Sequence, residues 1–398
     1  MELTVQHGAV LLLVAAVVAI ATRRLNLPYS AGLAAVGILL GRLPYTPRIS
    51  LTRDLLFTVL LPPLIFEAAF YVNWSHLRKD IGVISVLATL GVAISAGVTT
   101  AGMHYLAGWQ WLSAAVFGIL ISATDPVAVI ATFKETGARG RMLLLAEAES
   151  LFNDGTVAVA LGVALEFAAG RQSGPLPAAF GFVVTAGGGA LCGCLVAGAI
   201  LAIAGRTEDH LVEITLTTVA AYGSFLLADR FGVSGVLASM AAGLIVGNVG
   251  PMGTITDRGK EAAQAFWEFA AFVANSLVFL LIGIQVAQQN FLSVWLAAGI
   301  AIGLALVGRA AAVYPCCALF RWSRLRVNSR HQHILFWGGV RGALALALSL
   351  ALPADLPQRG AISTLSFAVV TFSIFVQGLT IIPIARSAAR TQDVQAGK

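Results

Sequence analysis

Apolar stretches long enough to cross a bilayer follow one another along nearly the whole chain, with only short polar connections between them. A crossing helix needs about 20 predominantly apolar residues. A soluble chain carries about a quarter charged residues, whereas this one carries 11% charged and 58% hydrophobic among its 398 residues. The reading is an all-α polytopic membrane protein. Thirteen transmembrane spans are expected, at about 5–22, 29–42, 52–72, 81–106, 110–133, 142–169, 177–204, 210–228, 232–249, 262–287, 292–320, 331–352 and 361–386. The whole of 1–398 is then expected to form a single transmembrane domain, with no soluble domain expected between or beyond the spans.

The first span is followed by Arg23 and Arg24 rather than preceded by basic residues, and it lacks a small-residue cleavage site. It reads as a retained span, not a signal peptide. The net charge of +6 is spread over short loops, so it points to membrane orientation rather than to nucleic acid. Most Lys and Arg follow odd-numbered spans, among them Arg23, Arg24, Arg78, Lys79, Arg321 and Arg324. Fewer follow even-numbered ones, such as Arg42, Arg171 and Arg230. The positive-inside rule then places the C-terminus in the cytoplasm and the N-terminus outside a cell membrane. Cys192, Cys194, Cys316 and Cys317 lie in apolar runs without a zinc-type partner pair, and read as buried thiols.

Two spans are interrupted. The fifth carries Ser-Ala-Thr-Asp-Pro-Val at 122–127, where Pro126 removes a backbone donor and disfavours helix at Asp125. The twelfth carries Gly-Gly-Val-Arg-Gly at 338–342, three glycines around Arg341. Broken helices at corresponding places of two inverted halves mark the central site of many transporters. The expected repeats are two inverted six-helix units, about 5–169 and 210–386, joined by a linker helix at about 177–204. Simple bending of packed helices is the plainer alternative.

The sixth span holds Leu-Ala-Glu-Ala-Glu-Ser-Leu-Phe-Asn-Asp-Gly at 145–155. An ionised carboxylate in mid-membrane costs ~2.5–3.5 kcal/mol on insertion scales, so such residues are kept for a reason. Ser150 and Asp154, at i and i+4, share one helix face with Glu147. Glu149 points elsewhere and needs a cation; Arg309 and Arg341 are the cations inside spans, and Arg309 is favoured, with Arg341 left to meet carbonyls at the break. Polar helix–helix adhesion is the alternative reading of Ser150 and Asn153. Asp125 and Asp154 lie near mid-span on neighbouring helices, so Thr124, Asp125, Ser150, Asn153 and Asp154 form an oxygen-rich cluster suited to a hard monovalent cation. Burial raises a carboxylate's affinity for protons, which lets H⁺ and the cation compete for one charge. Glu67, after Leu-Pro-Pro-Leu-Ile-Phe, is placed on the cation path or as a cap. Glu213 and Glu268 fall near span ends and read as solvated or snorkelling.

These pieces together resemble the NhaP/NHE branch of the monovalent cation–proton antiporters. The carriers of the resemblance are Leu-Pro-Pro-Leu-Ile-Phe-Glu at 61–67, Ala-Thr-Asp-Pro-Val-Ala-Val at 123–129 and Glu-Ser-Leu-Phe-Asn-Asp-Gly at 149–155. To these add Phe-Leu-Leu-Ile-Gly at 279–283, Gly-Arg-Ala at 308–310 and Gly-Gly-Val-Arg-Gly-Ala-Leu at 338–344. The resemblance implies thirteen helices, a core domain moving against a dimerisation domain, and a homodimer in the lipid membrane. It implies electroneutral exchange of Na⁺, and of Li⁺, for H⁺, with both ions as transported substrates and no cofactor. Asp154 would be the main carrier. Asp125, Thr124, Ser150 and Glu67 would complete or organise the ion site, with Asp154, Asp125, Ser150 and Thr124 as metal ligands. Asn153 would support Asp125, and Glu149 would pair with Arg309. A K⁺/H⁺ antiporter and a channel remain as rivals. So does an intramembrane serine protease suggested by Gly-Val-Ser-Gly at 232–235, although the six histidines sit at termini, loops or span ends and supply no general base.

Overall fold

The computed structural model describes residues 5–25, 27–43, 52–125, 130, 140–170, 174–250, 254–381 and 383–384. Among them the secondary structure is helical, apart from one isolated bridge discussed below. Among the described residues eight helices are long and apolar enough to cross a membrane, and four shorter apolar ones accompany them. The helices are α1 Val5–Leu25, α2 Tyr29–Gly41, α3 Leu61–Tyr71, α4 Trp74–Val86, α5 Val92–Ala107 and α6 Trp111–Leu120. There follow α7 Arg141–Ala168, α8 Pro175–Ala204, α9 His210–Arg230, α10 Gly235–Val249 and α11 Asp257–Ala287. The last are α12 Trp295–Ala318, α13 Ser329–Trp337, α14 Ala343–Leu350 and α15 Arg359–Phe372.

The start of α4 differs from expectation. Arg78 and Lys79, read as loop residues, lie in a helix that begins at Trp74 and runs through a π-turn at Leu87–Gly91 into α5. Asn73 explains the early start, because its Oδ1 accepts from the backbone N–H of Ser75 at 2.9 Å.

The chain divides into two compact units. One comprises 1–53, 82–153 and 276–398. In it α5 packs against both α6 and α12, and α15 covers α12 and α14. Close approach depends on small residues: a side chain at Gly308 of α12 would press on Ser95 and Thr99 of α5.

The other unit comprises 54–81 and 154–275. Here α10 is the hub, packed on α3, α8 and α9. Gly243 and Gly247 allow this, since a Cβ at either would run into the backbone of Phe66 or Phe70. Phe66 meets Trp267 with ring centroids 4.5 Å apart, and the Trp267 indole donates to Thr217 at 3.0 Å. Gly189 and Gly193 of α8 face α10. Cys194 therefore turns away and is exposed, unlike the buried Cys316 and Cys317, which corrects the reading of all four thiols as buried. Ser234, the residue of the protease-like motif, caps α10 by accepting from Leu237 N at 3.2 Å.

Glu213 is likewise not solvated. It is 1% exposed and accepts from the Thr256 N–H at 2.9 Å and from the Thr256 hydroxyl at 2.8 Å. The carboxylate thus sits at the positive N-terminal end of α11, where helix dipole and free N–H groups favour a negative charge. Glu213→Ala is expected to lower the melting temperature through loss of about 1–2 kcal/mol of capping. An unchanged melting curve would show that the cap contributes nothing.

Candidate functional site: two helix breaks and the face of α7

The first break follows from the end of α6. Ser122 returns its hydroxyl to Gly118 O at 2.7 Å, and the chain leaves the helix. Asp125 then donates its N–H to Val340 O at 2.6 Å, forming an antiparallel bridge with the second break. That second break separates α13 from α14 at Gly338–Gly342. Interrupted backbone is tolerated at membrane depth only where protein or a polar cavity satisfies its groups; here each break bonds the other. Pro126 lies outside the described residues.

Glycine is needed at the second break for space. A Cβ on Gly342 would overlap the Asp125 side chain, and one on Gly339 would collide with the Arg309 guanidinium. Gly339→Ala is therefore expected to destabilise by about 1–3 kcal/mol through overpacking. A variant as stable as the parent would show that the guanidinium has room to move.

The polar face of α7 docks onto the segment before Asp125. Thr124 donates to Ser150 Oγ at 3.3 Å, and Ser150 in turn donates to the carbonyl of Thr124. Asn153, one turn on, donates from Nδ2 to Ser122 O at 3.2 Å and to Thr124 Oγ1 at 3.3 Å. All three side chains are buried. Asn153 Oδ1 accepts no hydrogen bond from the described residues. The amide therefore bonds the stretch leading into Asp125, presenting an acceptor oxygen beside two hydroxyls. The hydroxyl, amide and carbonyl oxygens gathered here are hard donors of the kind that suit alkali cations rather than zinc or copper.

A different face of α7 carries Glu149. Arg309 of α12 grips it with two parallel bonds, Nη1 to Oε1 at 2.7 Å and Nη2 to Oε2 at 2.8 Å, and adds Leu335 O at 2.9 Å. The side chains are 6% and 2% exposed. This fork geometry is the strong form of an ion pair, and it ties α7, α12 and α13 together. Arg341 instead bonds carbonyls, those of Gly339 and, at 3.3 Å, Ala305, one turn before Arg309. A small cavity lies between the pair and the hydroxyl cluster, lined by Thr124, Glu149, Ser150, Arg309, Gly338 and Gly339.

Asp125 is half-buried at the bridge. Asp154 is half-buried on α7, one turn beyond Ser150 on the same face. It falls in the second compact unit, as does Glu67, half-buried on α3. Sequence reasoning marked the glycine run at 338–342 as a break but not the Asp125 and Arg309 side chains for which Gly342 and Gly339 make room, and it gave no signal for Ala305 O or Leu335 O.

The end of α6 bonded to the break between α13 and α14, with buried charges beside them, points to a polytopic membrane transporter. A family model described as Sodium/hydrogen exchanger, transmembrane, matches residues 10–387, and the chain belongs to that family. It is 35% identical over 361 residues to the low-affinity Na(+)/H(+) antiporter NhaS1 of Synechocystis sp., covering 89% of this chain and 68% of that one. To the Na(+)/H(+) antiporter NhaP of Pseudomonas aeruginosa it is 36% identical over 346 residues, covering 84% of this chain and 81% of the other. The fold matches the sodium proton antiporter MjNhaP1 from Methanocaldococcus jannaschii with a TM-score of 0.76 at 20% identity, over 97% of each chain.

Proposed function

We propose that the protein exchanges Na⁺ for H⁺ across a cell membrane, one for one, and accepts Li⁺ as well. The observation that carries this is the buried oxygen cluster of Thr124, Ser150 and Asn153 against the broken segment ending at Asp125, in a chain of the exchanger family. Asp154 is the carrier whose single negative charge is neutralised by a proton or by the cation. Asp125, Thr124 and Ser150 supply or organise further ligands, Asn153 holds the segment before Asp125, and Glu67 lies on the cation path. Glu149 with Arg309 is a structural pair. Arg341, and Pro126 with it, maintain the breaks.

In this reading the chain crosses the membrane thirteen times as two inverted six-helix repeats around a linker helix. It works by alternating access as a homodimer, with the N-terminus outside and the C-terminus in the cytoplasm. The charge bias of its connections supports that orientation. No cofactor enters the cycle: proton affinity is set by burial and neighbouring charge alone.

Competition at one carboxylate gives the test. In proteoliposomes the Na⁺-dependent proton flux should rise and then fall with pH. At low pH protons hold the site; at high pH the cation does. A flux constant from about pH 5 to 9, a span far wider than one carboxylate's titration, would contradict competition. Faster flux with K⁺ than with Na⁺ would make the protein a K⁺/H⁺ antiporter of the same fold.

A further inference from the structure

The connection between α12 and α13, together with the first two residues of α13, reads Leu-Phe-Arg-Trp-Ser-Arg-Leu-Arg-Val-Asn-Ser-Arg at 319–330 and contains no acid. Its backbone is held in place. Arg141 donates to Leu325 O and Arg326 O at 2.8 Å each, and Leu325 N donates to Ser323 Oγ at 2.9 Å. Gln332 donates to Val327 O at 2.9 Å, and Val327 is buried. Beneath the loop, the Leu325 side chain lies over Gly82, where a Cβ would come within 3.5 Å of it.

From this fixed frame the side chains of Arg321, Arg324, Arg326 and Arg330 all point into the open. None of the four makes an ion pair with a described acid. Trp322 is 86% exposed with the Arg321 guanidinium 4.4 Å above its ring, and Leu319 is 63% exposed. A bare indole and a bare leucine next to unpaired cations, at the end of a 24-residue spanning helix, match the chemistry of the lipid headgroup layer. Trp favours that depth, guanidinium groups fork onto phosphate, and clusters of four or more basic residues beside a span attract anionic lipid.

We propose that the 319–330 loop is a docking surface for anionic phospholipid headgroups of the leaflet it faces. Arg321, Arg324, Arg326 and Arg330 engage the phosphates, while Trp322 and Leu319 enter the interface. An acidic soluble partner fits less well, because it would leave Trp322 and Leu319 beside the membrane with no apolar counterpart. The inference requires that α12 crosses the bilayer, and is independent of which ion is carried.

Native mass spectrometry of the detergent-solubilised full chain, titrated with phosphatidylglycerol or phosphatidylcholine of the same acyl chains, tests it. Attraction of about fivefold per arginine predicts a preference for phosphatidylglycerol of tenfold or more. That preference should disappear in the Arg321→Gln/Arg324→Gln/Arg326→Gln variant, persist in the corresponding triple Lys variant, and weaken in Trp322→Ala. High salt should collapse it in the unaltered protein, a readout that needs no variant to fold. Equal binding of the two lipids, full preference in the triple Gln variant, or tighter binding of soluble polyglutamate than of phosphatidylglycerol would overturn the assignment.

Discussion

Asp154→Asn is expected to abolish Na⁺-dependent proton exchange while leaving the protein folded. The amide keeps the size and shape of the carboxylate, so the packing of α7 is preserved. Two things are lost. An amide does not titrate, so the proton half of the cycle has no carrier. It also presents a dipole where the cation met a full charge. Interactions with charged groups contribute ~1.5–3 kcal/mol against about 1 for neutral ones, so cation affinity alone should fall by roughly one order of magnitude. Purified Asp154→Asn protein should melt at or above the parent temperature, since an ionised group has been removed from a half-buried site. Exchange at the parent rate in this variant would end the assignment of Asp154 as carrier.

Arg309→Ala acts on the fold instead. It leaves Glu149, 2% exposed, without the fork that holds both of its oxygens, and it frees Leu335 O. Removing one partner of a buried pair costs about 3–5 kcal/mol, because the other charge stays desolvated. Lower membrane yield and a lower melting temperature are expected. Adding Glu149→Ala to Arg309→Ala should recover part of the loss, since the stranded charge goes with it. A single variant as stable and active as the parent would contradict a structural role for the pair.

These contrasts show what a reader of the sequence alone can see. Apolar run length gives the helical membrane architecture directly, because lipid leaves the backbone no other partner than its own helix. A charge in such a run is equally visible, which is why Asp125, Glu149, Asp154, Arg309 and Arg341 stand out. The break at 338–342 is announced by its glycines. The pairing is visible only as a preference: with two cations inside spans, Arg309 is favoured for Glu149 and Arg341 for carbonyls at the break. The bidentate contact, and the choice of Ala305 O as a partner of Arg341, depend on the depth and rotation of α12 against α7, which periodicity does not specify. Helix starts were blurred for a different reason: α4 and α11 begin in polar turns, Trp74–Lys79 and Asp257–Lys260, where hydropathy is low but capping by Asn73 and by Thr256 with Glu213 sets the boundary. Glu213 looked solvated because its partner, the N-terminus of α11, lies 43 residues away in sequence.

The most direct measurement is proton flux driven by a Na⁺ gradient in proteoliposomes, recorded once with the membrane voltage clamped at zero and once with it free. If one buried negative charge is neutralised in turn by a single Na⁺ and a single H⁺, protons should move against the Na⁺ gradient at the same rate in both conditions. A Na⁺ gradient that drives no protons in the opposite direction, or a rate that changes with voltage, would contradict one-for-one exchange at Asp154.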